Sequence, residues 1–172
     1  RLATQKQAVA WSQAWRPYER LGQPLKRAVI ASEDARFADH GGVEWDALEA
    51  AWQRNQRAEA RAAVRPAARD KLVGGSTITQ QLAKNLFLSG DKQLGRKLQE
   101  LAITFLLESA LDKDRILEIY LNIIEWGPGL RGLRPAARTY FGREPQALTP
   151  AQMAFLVAII PGPIKYQSSF AH

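Results

Sequence analysis

The 172-residue chain contains no cysteine. It therefore has no disulfide, no thiolate metal site and no cysteine nucleophile. Long apolar runs are also missing, since the longest, 154–160, ends at Pro161 and is far shorter than the roughly 20 residues of a membrane-spanning helix. Because the chain begins at Arg1 and not at methionine, we expect an N-terminal targeting or anchoring segment to be missing from it. We also expect a C-terminal end to be missing, because the chain stops at His172, soon after Pro161-Gly162-Pro163.

The sequence also lacks internal repeats, low-complexity segments and strand-like alternation of useful length. Its apolar residues recur at helical spacing instead. A length of 172 residues suits one domain with a real core. We therefore expect a mainly α fold, in a single domain spanning residues 1–172.

Positive charge is in excess, because 24 Lys and Arg residues stand against 17 Asp and Glu residues and give a net charge of +7. Nucleic acid, an anionic membrane and a phosphate-bearing substrate would all match a basic surface. Four arginines form a basic ridge at helical steps: Arg54, Arg57, Arg61 and Arg65. A solvated helix face is the default interpretation of this ridge. Among binding roles lipid ranks above nucleic acid, because no interleaved aromatics could stack on bases.

The stretch 74–85, GGSTITQQLAKN, has the composition of an anion-binding loop that leads into a helix. Its glycines permit positive φ and close backbone approach. Thr77 and Gln80 match a capping box, which starts a helix with free N–H groups. The predicted helix has an apolar side, Ile78, Leu82 and Leu86, and a polar side, Thr77, Gln80 and Lys84. We expect the polar side to be free for chemistry; an ordinary capped amphipathic helix is the alternative.

The segment 33–42 concentrates three carboxylates and a histidine before two glycines that end a helix. A helix with Pro24 in its first turn delivers Glu33. Glu33, Phe37 and His40 recur at helical spacing, so an acid, a ring and an imidazole could share one wall of a cleft. The alternative is a solvated helix end with a chance histidine. His40 itself is interpreted as a structural hydrogen-bonding group.

A long helix is predicted over 94–111. Its core-facing stripe is expected to comprise Leu94, Leu98, Leu101, Ala102 and Phe105. Glu100 then falls on the far side between Arg96 and Lys97, where we expect a carboxylate to stay ionised unless it is deeply buried. Surface ion pairing is the alternative explanation of these three charges. Glu108 falls near the apolar stripe and is interpreted as a buried structural acid with a partner.

Further helices are predicted on both sides of these segments. Two aromatic stripes recur at helical spacing, Trp11, Trp15 and Tyr18, and Trp45, Leu48 and Trp52. The first is expected to dock on the core, with a membrane-interface belt as the alternative. Asp112 caps a core helix that runs to Asn122, and a short proline-initiated helix ends at Gly142. Thr149 and Gln152 form a second capping box, which opens a nearly all-apolar helix that is expected to be central.

With these segments in order, the chain resembles the bacterial peptidoglycan glycosyltransferases, the family 51 glycosyltransferases that occur alone or fused to penicillin-binding transpeptidase domains. The resemblance covers residues 25–166 and is strongest to the monofunctional biosynthetic members. It rests on five motifs: EDARFADHG at 33–41, GSTITQQLAKN at 75–85, RKLQE at 96–100, RILEIYLN at 115–122 and AARTYFG at 136–142. No Lys-Thr-Gly sequence of a transpeptidase is present.

The resemblance implies a lysozyme-like helical domain with a flexible lobe near the membrane. It implies polymerisation of lipid II into β-1,4-linked glycan, with inversion, from a lipid pyrophosphate-linked donor to the 4-hydroxyl of lipid II. The implied location is the periplasmic face of the bacterial inner membrane, through an anchor absent from this chain. The implied partners are lipid II, the growing lipid-linked glycan and the membrane surface, with cell-wall synthesis or division proteins as further candidates and no nucleic acid.

By the same resemblance, Glu33 is the general base for the acceptor hydroxyl. A positioned carboxylate of this kind contributes on the order of 10²–10⁴ in rate. Lys84, Arg96 and Lys97 can supply the cations that the departing pyrophosphate needs. Glu100 corresponds to the second catalytic acid. Positioning Lys97, holding a divalent ion and assisting departure are its three open roles, and positioning is preferred.

The resemblance also implies a set of substrate-binding residues. They are Asp34, Phe37, His40, Ser76, Thr77, Gln80, Gln81, Lys84, Asn85, Lys92, Arg96 and Lys97. Lys92 stands where the family's arginine is expected, and a lysine keeps the charge but loses the bidentate fork. No cofactor is assigned as required and no metal ligand is assigned, while a divalent cation, Mg²⁺ or Mn²⁺, near Glu100 stays open.

Two other functions compete with this one. A lysozyme-like peptidoglycan hydrolase would use Glu33 as a general acid, but it has no pyrophosphate to neutralise and leaves the cations without a purpose. A non-enzymatic basic module that binds nucleic acid or lipid follows from the charge alone and leaves Glu33 and Glu100 unexplained.

Overall fold

The computed structural model describes residues 14–64, 75–88 and 94–163. Within these ranges the fold is mainly α-helical, as predicted. The helices are α1 Gln23–Glu33, α2 Trp45–Val64, α3 Ile78–Phe87, α4 Leu94–Ala110, α5 Lys113–Ile123, α6 Leu133–Phe141 and α7 Pro150–Ile159. Two short antiparallel strands, β1 Glu125–Gly127 and β2 Leu130–Arg131, link α5 to α6. Tyr18–Arg20 and Pro145–Ala147 are single 3-10 turns.

Some predictions concern residues outside the described ranges: Trp11, Arg65, Gly74 and Lys92. The flexible lobe near the membrane also stays a prediction.

The predicted helix starts are confirmed at three positions. Thr77 Oγ1 accepts the backbone N–H of Gln80 at 3.2 Å, and Gln80 Oε1 accepts that of Thr77 at 3.0 Å. Thr149 forms the same reciprocal pair ahead of α7, and Asp112 caps α5. Such caps satisfy helix N–H groups that have no partner within the helix. Local sequence is therefore enough to explain where these helices begin.

Helix α5 lies at the centre of the core. Its nearly fully buried apolar side chains are Ile116, Leu117, Tyr120 and Leu121. Helix α3 packs against both α4 and α5, whereas α1 packs against α7. The prediction that α7 is central is wrong, because its alanines at 151, 154 and 158 are exposed. An apolar helix rich in alanine can lie at the surface, since alanine exposes little apolar area.

Helix α4 packs through its polar side, which is the reverse of the prediction. Leu98 of the predicted core stripe is 69% exposed, whereas Glu100 and Thr104 are 5% and 0% exposed. The reason lies in the neighbouring helix. Thr79 of α3 donates to Glu108 of α4 at 2.5 Å, so hydrogen bonds between polar side chains help to close this interface.

The residues before α1 dock on α5. Trp15 Nε1 donates to Glu118 at 2.7 Å. The side chain of Asn122 accepts the N–H of Arg16 and donates to the carbonyl of Arg16, both at 2.8 Å. The predicted helical stripe is wrong here, because residues 14–17 have no helical structure. The expected docking on the core is confirmed for Trp15.

Large apolar side chains are exposed on three helices: Trp45, Leu48, Trp52, Leu86, Phe87, Leu98, Phe105 and Leu106. Leu86 was predicted to pack and is 41% exposed. Exposed tryptophans are typical of membrane-interface and interaction surfaces. Among the described helices, none combines the length and the hydropathy that a membrane span requires.

Candidate active site

Glu33 is the last residue of α1 and is half-buried. Gln81 of α3 donates from Nε2 to Glu33 Oε2 at 3.0 Å. Burial raises the pKa of Glu33 above its usual range, and the hydrogen bond from Gln81 opposes that rise. A carboxyl group with a raised pKa binds a proton more readily than an exposed one, which suits it to general acid–base chemistry near neutral pH.

Tyr120 of α5 lies behind Gln81. It is fully buried, and its hydroxyl contacts Gln81 Oε1 at 2.9 Å. Burial, followed by the negative charges of Glu33 and Asp34, raises the pKa of Tyr120, so the phenol stays protonated. Glu33, Gln81 and Tyr120 therefore form a continuous hydrogen-bonded chain from α1 through α3 to α5.

Asp34 ties the end of α1 to the start of α3. Its Oδ2 accepts the backbone N–H of Ile78 at 3.0 Å, and its Oδ1 lies 2.8 Å from His40 Nε2. His40 Nδ1 accepts the N–H of Gly42 at 3.1 Å, so the ring holds its proton on Nε2 and donates it to Asp34. The structural hydrogen-bonding role predicted for His40 is confirmed. Contact of Asp34 and His40 with substrate stays a prediction.

Phe37 supports the same loop from inside the core. Helix α1 ends at Glu33 and turns follow, so Glu33, Phe37 and His40 do not share a helix face as predicted. The Phe37 ring is 2% exposed and packs edge-on against His40, with centroids 6.4 Å apart. Its contact with substrate stays a prediction.

Lys113, the first residue of α5, braces this loop against α4. Its Nζ donates to the carbonyl of His40 at 2.6 Å and to Glu108 at 2.8 Å, and it lies 4.6 Å from the centre of the Phe37 ring. Glu108 also accepts the hydroxyl of Thr79. The prediction that Glu108 is a structural acid with a partner is confirmed.

The polar side of α3 is less free than predicted. Thr77 and Gln80 are 4% and 2% exposed, and they use their side chains in the capping box. Of the other predicted residues in this stretch, Lys84 and Asn85 are exposed and Ser76 is partly buried. Contact of these five residues with substrate stays a prediction.

Glu100 of α4 is paired with Lys97, three residues earlier. The predicted Lys97 neighbour is therefore present, although Glu100 is buried and not at the surface. Arg96, expected on its other side, forms no ion pair with Glu100 in the part of the chain that the structure describes. Among the described residues, no hydrogen bond joins Glu33 to Glu100. The two predicted catalytic acids thus belong to separate hydrogen-bonded groups.

One group of three potential metal-ligating side chains is found among the described residues: Asp34, His40 and Glu44, with ligand atoms within 4.8 Å of one another. These residues do not fit a metal ion. Both oxygens of Asp34 accept hydrogen bonds, and the His40 nitrogen that faces them carries the proton. Glu44 instead lies 3.4 Å from Arg36. A divalent ion near Glu100 stays a hypothesis.

Sequence reasoning missed the parts of the site that come from α5. It predicted a core helix from Asp112 to Asn122 and gave Tyr120 and Lys113, which lie on it, no role in the site. A buried tyrosine with apolar neighbours carries no local signal of where its hydroxyl points, because the contact with Gln81 spans 39 residues of sequence.

Comparison with known proteins shows which family the chain belongs to. The family model described as Transglycosylase matches residues 2–171. The chain belongs to the transglycosylase family. The resemblance inferred from the five sequence motifs is therefore confirmed.

Three relatives in this family carry the name biosynthetic peptidoglycan transglycosylase. The protein of Bordetella avium is 53% identical over 157 residues, which are 90% of this chain and 62% of the relative. That of Herminiimonas arsenicoxydans is 50% identical over 155 residues, or 90% and 62%. That of Nitrosomonas eutropha is 50% identical over 164 residues, or 95% and 63%. The chain thus spans about three fifths of the length of these relatives.

Proposed function

We propose that this protein is a peptidoglycan glycosyltransferase that polymerises lipid II into β-1,4-linked glycan strands, through one domain spanning residues 1–172. Membership of the transglycosylase family and the names of the relatives support this reaction class. The observation that carries the proposal is the environment of Glu33, a half-buried carboxyl group with a raised pKa that is held by Gln81.

Glu33 is the general base of the transfer. Gln81 occupies Oε2, and Oε1 makes no hydrogen bond within the described residues, so it is available for the acceptor 4-hydroxyl. The hydroxyl proton moves to Glu33 while the hydroxyl oxygen bonds to the anomeric carbon of the donor. The bond from that carbon to the pyrophosphate breaks on the opposite face, and its electron pair leaves with the pyrophosphate. The anomeric configuration is thereby inverted.

Cations neutralise the charge that develops on the pyrophosphate. Lys84 is exposed on α3, one turn after Gln81, while Arg96 and Lys97 lie in the first turn of α4, and α3 and α4 pack together. Fixed positive groups placed before the reaction stabilise such a leaving group without reorganisation. Lys92 extends this set, as a cation without the bidentate fork of an arginine.

Glu100 positions Lys97. The buried carboxylate holds the ammonium group of Lys97 through a direct ion pair, and its own backbone carbonyl accepts the hydroxyl of Thr104 at 2.7 Å. This arrangement favours an orienting acid over a proton donor. The other substrate contacts are proposed for Asp34, Phe37, His40, Ser76, Thr77, Gln80, Gln81 and Asn85.

The protein is proposed to act at the bacterial cell envelope, on the periplasmic face of the inner membrane. Its substrates are lipid-linked, the net charge is +7, and Trp45 and Trp52 are more than half exposed on α2 together with Arg54 and Arg57. Aromatic and basic side chains on one helix suit an anionic membrane surface. Cell-wall synthesis or division proteins are further proposed partners.

A peptidoglycan hydrolase is the less favoured function. The relatives are named for biosynthesis, and a hydrolase would not need cations for a pyrophosphate. Incubation with preformed glycan separates the two functions, because a hydrolase shortens the glycan whereas a glycosyltransferase leaves its length unchanged.

The proposed function is tested with purified lipid II in detergent, with and without Mg²⁺ or Mn²⁺, followed by electrophoresis of the product. The wild-type protein is expected to form glycan, and Glu33→Gln is expected to lose activity by at least the order of 10² that a general base contributes. Glu59→Gln, an exposed glutamate on α2, is the matched control and should retain activity. Polymerisation by Glu33→Gln at the wild-type rate would overturn the assignment of the base.

A further inference from the structure

The nitrogen and the oxygen of the Gln81 side-chain amide each contact a different residue. Its Nε2 contacts Glu33 Oε2 at 3.0 Å and its Oε1 contacts the hydroxyl of Tyr120 at 2.9 Å. An amide group offers one acceptor and two donors, so a rotation of 180° would exchange the atoms that meet each partner. The direction of the amide decides whether Glu33 receives a hydrogen bond or faces a second oxygen.

Tyr120 settles that direction. A protonated phenol buried at 0% exposure must donate its hydrogen, and Gln81 Oε1 is the acceptor that it meets. With the amide oxygen held by Tyr120, the NH₂ group is left to face Glu33. The tyrosine is therefore separated from the proposed base by one side chain, which it orients.

We infer that Tyr120 is a positioning residue for the proposed base, acting through the amide of Gln81 to keep a hydrogen-bond donor on Glu33 Oε2. This inference rests on the proposed function, because it concerns the same carboxyl group. It gives Gln81 a role toward Glu33 that is separate from its predicted contact with substrate.

The neighbours of Glu33 allow the effect of the Gln81 hydrogen bond to be measured separately from other influences on Glu33. Tyr120 on α5 interacts electrostatically with Glu33 and Asp34. Helix α3 presents the uncharged amide of Gln81 to Glu33, and the exposed ammonium group of Lys84 lies one turn further along the same helix. Helix α7, which packs along α1, carries no ionisable side chain. Asp34 is already engaged by His40 and by the N–H of Ile78. Loss of the donor from Gln81 is therefore the main change that Glu33 would experience.

The test is the pH dependence of lipid II polymerisation by Tyr120→Phe. This substitution keeps the ring and removes the hydroxyl, so the amide of Gln81 is free to rotate. A hydrogen bond of ordinary strength corresponds to about one pH unit at most. The acidic limb of the rate profile, which reports ionisation of Glu33, is expected to move up by as much as about one unit, with KM nearly unchanged. The rate on that limb then falls by up to about tenfold and recovers at higher pH.

Tyr140→Phe is the matched control. Tyr140 also donates a partly buried hydroxyl, but to the carbonyl of Trp126 at 2.8 Å. Removing that hydroxyl should leave the acidic limb in place. A uniform loss of rate in Tyr120→Phe, without a shift of the limb, would mean that the tyrosine merely supports the core, and it would overturn the inference.

Gln81→Met provides a second test that does not depend on how well Tyr120→Phe folds. Methionine has a similar length and neither donates to Glu33 nor accepts from Tyr120 in the manner of an amide. The acidic limb should move in the same direction, and Tyr120→Phe should shift it no further in the Gln81→Met background. Additive shifts would overturn the inference. Failure of the proposed function appears separately, as absence of glycan from the wild-type protein, and failure of the proposed base appears as full activity of Glu33→Gln.

Discussion

Asp34 Oδ2 accepts the backbone N–H of Ile78 at 3.0 Å, and this bond joins the residue after α1 to the first residue of α3. The two residues are 44 positions apart in sequence. The bond places Glu33, one residue before Asp34, beside Gln81, one turn into α3. The geometry of the proposed base is thus anchored by its neighbour in sequence, a residue that is 5% exposed.

Asp34→Asn is expected to destabilise the protein although it keeps the shape of the side chain. The new NH₂ group must face either the proton on His40 Nε2 or the N–H of Ile78, so a buried donor loses its acceptor. An unsatisfied buried group of this kind costs about 1–3 kcal/mol. Urea unfolding measures the loss. Asp39→Asn, an exposed position in the same loop, should change stability little, and equal losses for both variants would contradict the anchoring role.

Gly42→Ala is expected to be strongly destabilising. Gly42 has φ +92°, and a Cβ there would lie 2.6 Å from Thr104 Cγ2 and 2.9 Å from Glu108 Cγ. A positive φ and an overpacked contact together cost roughly 2–5 kcal/mol. Gly41 gives a matched control in the next position, because a Cβ there meets nothing within 4 Å. Thermal unfolding should therefore separate Gly42→Ala clearly from Gly41→Ala.

Glu144 should make the fold sensitive to acid. Hydrogen bonds from Arg134, Arg16 and Arg138 lower its pKa from 4.5 to about 2. Because the folded pKa is depressed, the stabilisation is present above pH 4.5 and is lost as the pH falls toward 2. The carboxyl group is only partly shielded from solvent, so the effect should be modest.

Urea unfolding of Glu144→Gln between pH 7 and pH 2.5 tests the predicted loss of stability in acid. The variant should be less stable than the wild type at neutral pH, and the two should converge toward pH 2. Glu59→Gln should keep the wild-type pH dependence, since Glu59 is exposed on α2. A constant gap between Glu144→Gln and the wild type would show that the arginines stabilise Glu144 by something other than its charge.

Glu33 should change the pH dependence of stability in the direction opposite to Glu144. Because burial raises its folded pKa, the native state binds a proton more readily than the unfolded state does in the pH range between the two pKa values. Stability is then present at low pH and is lost as the pH rises through the folded pKa. Glu33→Gln is expected to unfold at a higher temperature than the wild type at neutral pH, with the difference shrinking in acid, while activity is lost. Calorimetry at several pH values tests this, and a lower unfolding temperature at every pH would refute it.

Trp52 is expected to contribute to binding at a membrane surface. Its side chain is 66% exposed on a helix that also presents Arg54 and Arg57. Trp52→Ser should weaken sedimentation with vesicles that contain anionic lipid, by roughly the 1.5–3 kcal/mol of a large apolar side chain. Gln56→Ser, also exposed on α2, should bind as the wild type does. Equal binding of both variants would show that Trp52 does not contribute to lipid binding.

Much of the secondary structure could be predicted because its causes are local. The starts of α3, α5 and α7 follow from Thr77, Asp112 and Thr149, whose side chains cap N–H groups within three residues. The end of α6 follows from Gly142, which has φ +64°. The family, too, could be recognised from residue types at fixed spacing, and the match over 2–171 confirms it.

Helix faces could not be predicted with the same success. Periodicity shows that α4 has an apolar and a polar side but does not show which one its neighbours cover. Because α3 meets α4 with Thr79, the polar side with Thr104 and Glu108 became the buried one. Gln80 forms its capping bond within three residues, whereas the bond from Gln81 to Glu33 joins two helices and could not be predicted from local sequence.

The sequence by itself determined the helical elements, the net positive charge and the position of Glu33 on the helix that begins near Pro24, since each depends on residue types or on residues close together in the chain. Tertiary structure alone decided what surrounds Glu33. Its burial, the donor from Gln81 and the hydroxyl of Tyr120 come from three helices, and distances between helices depend on packing across the whole core.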